Sequence, residues 1–309
     1  SRSWTPWSGP SIVCRRMTDA TTLTPPPAFR APYDELFIYY LKGRVYEQGL
    51  VENPAYIGTW EEEAYAFVFF SADAEAAIAA LLQSQPDLTL LDRYRMRYDE
   101  WQGGRVSAFR AGRFHVLPPW EGHPARTGPQ GLKLVDEIAL LLDPGVVFGT
   151  GTHPTTRDCL AALEALYEKA DIESALDLGT GTGILAVAAA HLGSRRVVAV
   201  DFNRLAVQTS RNNIELNGMA DRVLAVQGRA EQLMDCPADL VIANIHYDVM
   251  QTFLSSAGFR AKPHWILSGL LRSQARAAER LLGENSAHID HRWTRDHIWY
   301  TFLGHHDAG

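Results

Sequence analysis

Residues 175–184 read ALDLGTGTGI, an apolar stretch that runs into three glycines at alternate positions and then into the apolar, helix-like run LAVAAAHLG. A strand that feeds a glycine turn and then a helix is half of a crossover unit, and it needs a parallel neighbour to complete its sheet. Glycine is required where the backbone turns with positive φ or approaches a ligand closely, and the helix N-terminus that follows favours negative groups. The spacing is G-x-G-x-G, whereas the dinucleotide fingerprint is G-x-G-x-x-G, and Ile184 stands where that fingerprint wants a small residue. Asp177, two residues before the first glycine, suits a ligand that carries an amino group.

Around this unit the chain alternates short apolar strands (174–178, 196–201, 222–227, 239–244 and 264–268) with amphipathic helices (about 183–192, 203–216, 247–258 and 272–283). Such alternation with short connections predicts a doubly wound α/β sheet. HIDHRWTR and HIWYTFLG then follow each other with no helix between them, which adds an antiparallel hairpin at the sheet edge and brings the count to seven strands.

The first part of the chain has a different grammar. Residues 1–32, with Pro25, Pro26 and Pro27 in a row and no apolar period, are expected to be a poorly ordered lead-in, with Met17 a candidate start. Strands are expected at 35–41, 64–70 and 88–98, a helix at about 73–83, and a Gly-centred strand pair at 105–117. A smaller α+β domain over 33–118, a proline- and glycine-rich linker over 119–131 and a larger domain over 132–309 follow.

At 309 residues and 46% hydrophobic content the chain has enough apolar material for two cores. A net charge of −7 leaves no general positive field to hold a phosphate backbone, so direct nucleic-acid binding is not expected and a protein partner fits better. Cys14, Cys159 and Cys236 are odd in number and widely spaced, which matches neither a disulfide framework nor a zinc site. No apolar run reaches the roughly 20 residues of a membrane span. A soluble, cytoplasmic, monomeric protein without metal is the expectation.

Three further elements carry chemistry. Asp201 ends the strand after the glycine turn, where an acid accepts hydrogen bonds from ribose hydroxyls; as a helix cap it would compete with Asn203. DPGVVFGTGTHPTT at 143–156 supplies small residues for a backbone nest that includes Thr152, and Pro154 sits where a helix begins, so Thr156 lies in its first turn. His153 there reads as a capping or packing residue. Asn244 ends the strand ADLVIA; its side-chain oxygen is suited to orienting an amine, and Tyr247 to walling the pocket with its ring face toward a cation.

With these residues in view, the chain resembles the methyltransferases that modify large-subunit ribosomal protein L-eleven. DPGVVFGTGTHPTT, LDLGTGTGILAVAAAHLG at 176–193, VVAVDFNRLAVQTSRNNIELNG at 197–218, DLVIANI at 239–245 and LSGLLRSQA at 267–275 carry the likeness, which covers most of residues 100–303. The resemblance implies S-adenosyl-L-methionine as cofactor, contacted by Thr156, Gly179, Gly181, Asp201 and Asn244, and a ribosomal protein amine as acceptor. It also implies a ferredoxin-like N-terminal domain that holds the substrate, here reduced: Gly43, Gly49, Pro54 and Gly58 fall where its first helix would run. After Asn-Ile the family usually continues Leu-Ala-Gly-Pro-Leu, while this chain has His246-Tyr247-Asp248-Val249-Met250. The expected reaction is N-methylation of a lysine side chain or N-terminal amine, with Asn244 and Tyr247 at the acceptor. Methylation of another protein or of a small-molecule amine, a nicotinamide-dependent oxidoreductase and a noncatalytic binding module are the rival readings.

Overall fold

The computed structural model describes residues 31–121, 137–147 and 151–307, and the chain forms two compact units divided between Val106 and Ser107. The lead-in before residue 31, most of the 119–131 linker and residues 148–150 of the DPGVVFGTGTHPTT segment lie outside the described residues.

In the first unit, β1 (Glu35–Lys42), β2 (Tyr56–Glu62), β3 (Tyr65–Phe70), α1 (Glu75–Ser84), β4 (Thr89–Arg97) and the single turn α2 (Tyr98–Trp101) follow in order. The sheet runs β2-β3-β1-β4, with every neighbour antiparallel. Aromatic and β-branched residues suit this pleated, half-buried surface. Tyr39, Leu41, Val68 and Phe70 bury one face of it against Ile78 and Leu81 of α1. Tyr39 also fixes the start of that helix by accepting a hydrogen bond of 3.0 Å from the Ala74 N–H. The interleaved order, with β1 between β3 and β4, is the split arrangement that the ferredoxin-like resemblance implies. Where that arrangement would place its first helix, turns lead into β2; Gly43, at φ +113°, and Pro54 break helical continuity, and YIGTW pairs with β3 instead.

The second unit opens with β5 (Phe109–Ala111) and β6 (Phe114–Leu117), a hairpin about Gly112, and β6 pairs in parallel with β7 (Ile138–Leu141). Residues 107–118, expected at the end of the first domain, therefore belong to the second unit, because their strand partner comes from beyond the linker. Then follow α3 (Pro154–Tyr167), β8 (Ser174–Leu178), α4 (Ile184–Leu192), β9 (Arg196–Asp201), α5 (Arg204–Leu216), β10 (Val223–Gln227), β11 (Leu240–Asn244), α6 (Tyr247–Phe253), α7 (Ala257–Arg260), β12 (His264–Leu271), α8 (Arg272–Glu284), β13 (Ala287–Arg295) and β14 (Trp299–His306).

The large sheet is ordered β10-β9-β8-β11-β12-β14-β13; its first five strands are parallel, and β14 runs antiparallel to both neighbours. The seven-stranded, doubly wound sheet with a terminal hairpin is thus as expected. Central strands covered on both faces carry continuous apolar runs, as residues 240–243 of β11 do. The helix expected over 247–258 is split into α6 and α7, because the Ser256 hydroxyl caps a new start by accepting from the Phe259 N–H at 3.1 Å. Strand order reverses between β8 and β11, and in open sheets of this kind ligands bind outside the carboxyl ends of the strands at that point.

Candidate functional site

The glycine turn leaves β8 at the reversal point. Gly179, Gly181 and Gly183 have φ of +69°, +54° and +84°, so each adopts the left-handed conformation that glycine permits. The turn is tied to the adjacent strand: the N–H groups of Gly179 and Thr180 donate to the Val200 carbonyl at 2.8 and 2.9 Å. A Cβ placed at Gly179 would collide with Cγ2 of Ile245, the residue after β11, so the two strand ends meet there. Asp177 lies beneath the turn, 1% exposed. Its Oδ2 accepts from the Thr180 hydroxyl at 2.5 Å and from the Ala186 N–H at 3.2 Å. Burial pushes its carboxyl up to about 7, against the opposing effect of those two hydrogen bonds.

Asp201 closes the other side. The Gly181 N–H donates to its Oδ2 at 3.1 Å and the Asn203 N–H to its Oδ1 at 2.9 Å. Burial raises its pKa, and backbone donors from Asn203, Gly181 and Phe202 counter that rise. The cap of α5 is Asn203, whose Oδ1 accepts from the Leu205 N–H at 3.0 Å, so Asp201 is not the cap. Gly179 and Asp201 accordingly lie on the same side of the molecule, at the carboxyl ends of the adjacent strands β8 and β9.

Gly151 of the DPGVVFGTGTHPTT segment packs against the residue that follows the same turn. A Cβ at Gly151, where φ is +82°, would meet Ile184 Cδ1 at 3.1 Å and Phe109 Cζ at 2.6 Å. Thr152 is exposed, and Thr156 is buried in the first turn of α3. His153 caps that helix, its Nδ1 accepting from the Thr155 N–H at 3.4 Å, and its ring meets Trp299 edge-on with centroids 5.0 Å apart.

Asn244, half-buried, ends β11 beside Gly269, where φ is +83° and an added Cβ would sit 3.3 Å from Asn244 Oδ1 and 2.9 Å from the Ile245 carbonyl. Tyr247 starts α6, partly buried against the core cluster that contains Met250 and Phe253. Among the described residues, no group of three or more His, Cys, Asp or Glu is arranged to hold a metal ion.

One group of residues escaped sequence reasoning. Thr209, Ser210 and Asn213 line the inner side of α5, and Asn217 caps its C-terminus. Asn213 is fully buried; it accepts from the Asp143 N–H and donates to the carbonyls of Asp143 and Thr182, each at 2.8 Å. Its signal in the sequence, four small or amide residues at positions 209, 210, 213 and 217, marks a polar helix face without saying what it holds.

The model of the family described as Ribosomal protein L11 methyltransferase (PrmA) matches residues 55–306. Proteins named ribosomal protein L11 methyltransferase align from Anoxybacillus flavithermus, 35% identical over 62% of this chain and 59% of the relative. One from Pelotomaculum thermopropionicum is 41% identical over 54% of this chain and 52% of the relative. The chain thus spans a little over half the length of these two curated relatives. A solved structure, the ribosomal protein L11 methylase from Lactobacillus delbrueckii subsp. bulgaricus, superposes with a TM-score of 0.54 at 25% identity, covering 65% of this chain and 100% of that one. With its glycine turn, its strand order and a family match over residues 55–306, the chain belongs to the ribosomal protein L11 methyltransferase family.

Proposed function

We propose that this chain transfers a methyl group from S-adenosyl-L-methionine to an amine of a protein, and that the acceptor is ribosomal protein L11. The observation that carries the reading is the convergence of Gly179, Gly181, Asp201 and Asn244 at the carboxyl ends of β8, β9 and β11, where strand order reverses. These residues suit such a nucleoside: the glycine backbone is in the left-handed conformation that permits close approach, and Asp201 beside it carries a carboxylate suited to ribose hydroxyls. When bound, the cofactor supplies an electrophilic methyl group on a sulfonium.

The rest falls to the protein. Gly179 and Gly181 allow close backbone approach, Asp201 accepts from the ribose, and Thr152 and Thr156 hold the carboxylate end. Asp177 fixes the turn from below, on the side assigned to the amino end, by accepting from Thr180 and Ala186. Asn244 accepts from the acceptor amine through its side-chain oxygen, which aims the lone pair, and Tyr247 walls the pocket. Alignment of nucleophile and carbon is worth several kcal/mol without a protein nucleophile. An α-amine, with an ordinary pKa of about 7.7–8.0, reaches its neutral form more readily than lysine at about 10.4, and exclusion of water favours that form for both. The first unit, with its ferredoxin-like strand order, is the surface that recognises the protein. Under this reading the enzyme works in the cytoplasm as a monomer on a protein substrate.

The test is transfer of radiolabelled methyl from S-adenosylmethionine into the protein and small-molecule fractions of a lysate. Label in one small ribosomal protein is expected. Label confined to small molecules would replace the acceptor class, and no label in either would remove the activity.

A further inference from the structure

We infer that Asn213 is a positioning residue that sets the two cofactor-binding segments against each other, an inference that rests on the cofactor reading above. Asn213 joins segments that are distant in sequence. Its Oδ1 and one Nδ2 hydrogen pair with the N–H and carbonyl of Asp143, at the head of the segment that leads to Thr152 and Thr156. The other Nδ2 hydrogen goes to the Thr182 carbonyl, between Gly181 and Gly183 of the glycine turn. An amide has two donors and one acceptor oxygen, so a single side chain satisfies all three backbone groups, and no other residue type of this size does so.

The neighbouring positions of α5 serve the same contact. A Cβ at Gly145 would meet Thr209 Oγ1 at 3.1 Å, and one at Gly183 would meet Ser210 Cβ at 3.0 Å, so each segment rests a glycine on this helix face. Asn213 is the point where both segments bond to one side chain. Asp143 and the glycine turn are thereby held in fixed register, and such register between the opening of one segment and the other is the pre-organisation a binding site needs.

Asn217 provides an internal control. One helical turn along, it accepts from the Leu141 N–H at 2.9 Å and donates to the Leu141 carbonyl at 2.7 Å, the same backbone pairing that Asn213 makes with Asp143. Its remaining bond is to the Asn213 carbonyl in its own helix, not to the glycine turn.

Asn213→Asp removes two donors and sets a carboxylate against two carbonyls; Asn217→Asp makes the corresponding change one turn away. Asn213→Ser is a milder second variant that retains a hydroxyl. Binding of S-adenosylhomocysteine to the full chain, measured by calorimetry well below each variant's melting temperature, is the readout. At matched loss of melting temperature, Asn213→Asp is expected to weaken binding by about tenfold or more, equivalent to about 1.4 kcal/mol. Asn213→Ser should weaken it less, and Asn217→Asp by no more than about two- to threefold. Equal weakening by Asn213→Asp and Asn217→Asp, or unaltered affinity in Asn213→Ser and Asn213→Asp, would overturn the inference while leaving the cofactor reading intact. Failure of the unsubstituted chain to bind S-adenosylhomocysteine would instead overturn the reading on which it rests.

Discussion

Gly181 and Asp201, twenty positions apart in sequence, are joined by one hydrogen bond of 3.1 Å from the glycine N–H to carboxylate Oδ2. The bond ties the turn after β8 to the end of β9, so the acid proposed to take the ribose also fixes the backbone proposed to lie beneath it. Replacing Asp201 by Ala removes a charge-assisted acceptor and strands the backbone donors of Gly181, Phe202 and Asn203. Affinity for S-adenosylhomocysteine is expected to fall by about 10- to 100-fold, the equivalent of about 1.5–3 kcal/mol for a hydrogen bond to a charged group. Calorimetric titration checks this, and an unchanged affinity would remove Asp201 from the site.

Gly179→Ala should damage both fold and site. The left-handed backbone alone costs about 1–2 kcal/mol for a residue with a Cβ, and here that Cβ also collides with Ile245. Gly218, at φ +65° with open space around it, bears only the first cost, so Gly218→Ala is the matched control. Thermal melts of both variants should show the larger loss at Gly179, and only that variant should lose S-adenosylhomocysteine binding.

Asp177 makes stability depend on pH. Burial raises its folded-state pKa from 3.8 to about 7, so between those values the native state holds a proton that the unfolded state has released. Stability from this group is therefore fully present below about pH 4, declines as pH rises toward 7, and is flat above that, by an amount on the order of 4 kcal/mol at most. Asn keeps the acceptor for Thr180 and Ala186 but does not titrate. Urea melts from pH 4 to 8 should show a shallower decline in Asp177→Asn than in the unsubstituted chain; parallel profiles would contradict the assignment.

For Asn244, the expectation is a split between steps. If it aims the amine, Asn244→Ala lowers turnover by at least about 100-fold while S-adenosylhomocysteine affinity changes by less than about threefold. Steady-state kinetics beside calorimetry separate the two, and a normal turnover number would sink the role.

The second unit's sheet was legible because its signals are local: a period of two or of 3.6, a glycine turn, a proline at a helix start. Gly179, Asp201 and Asn244 could be placed for the same reason, each standing at the end of a strand whose order the alternation implies. Signals failed where a partner from far along the chain decides the outcome. β5 and β6 read as closing the first domain, but β7 pairs with β6 from beyond the linker. Asn213 looked like an ordinary polar residue on a helix until its three backbone partners, 31 and 70 positions away, were in view. β2 was hidden because Gly58 and Pro54 suggest a broken helix as readily as a strand entry, and only pairing with β3 distinguishes them.

Titration of the intact chain with S-adenosylhomocysteine and, separately, with NAD addresses the site itself. Saturable one-to-one binding of S-adenosylhomocysteine with no heat from NAD is expected of a site built on G-x-G-x-G and Asp201. Binding of NAD in its place, or of neither ligand, would contradict it.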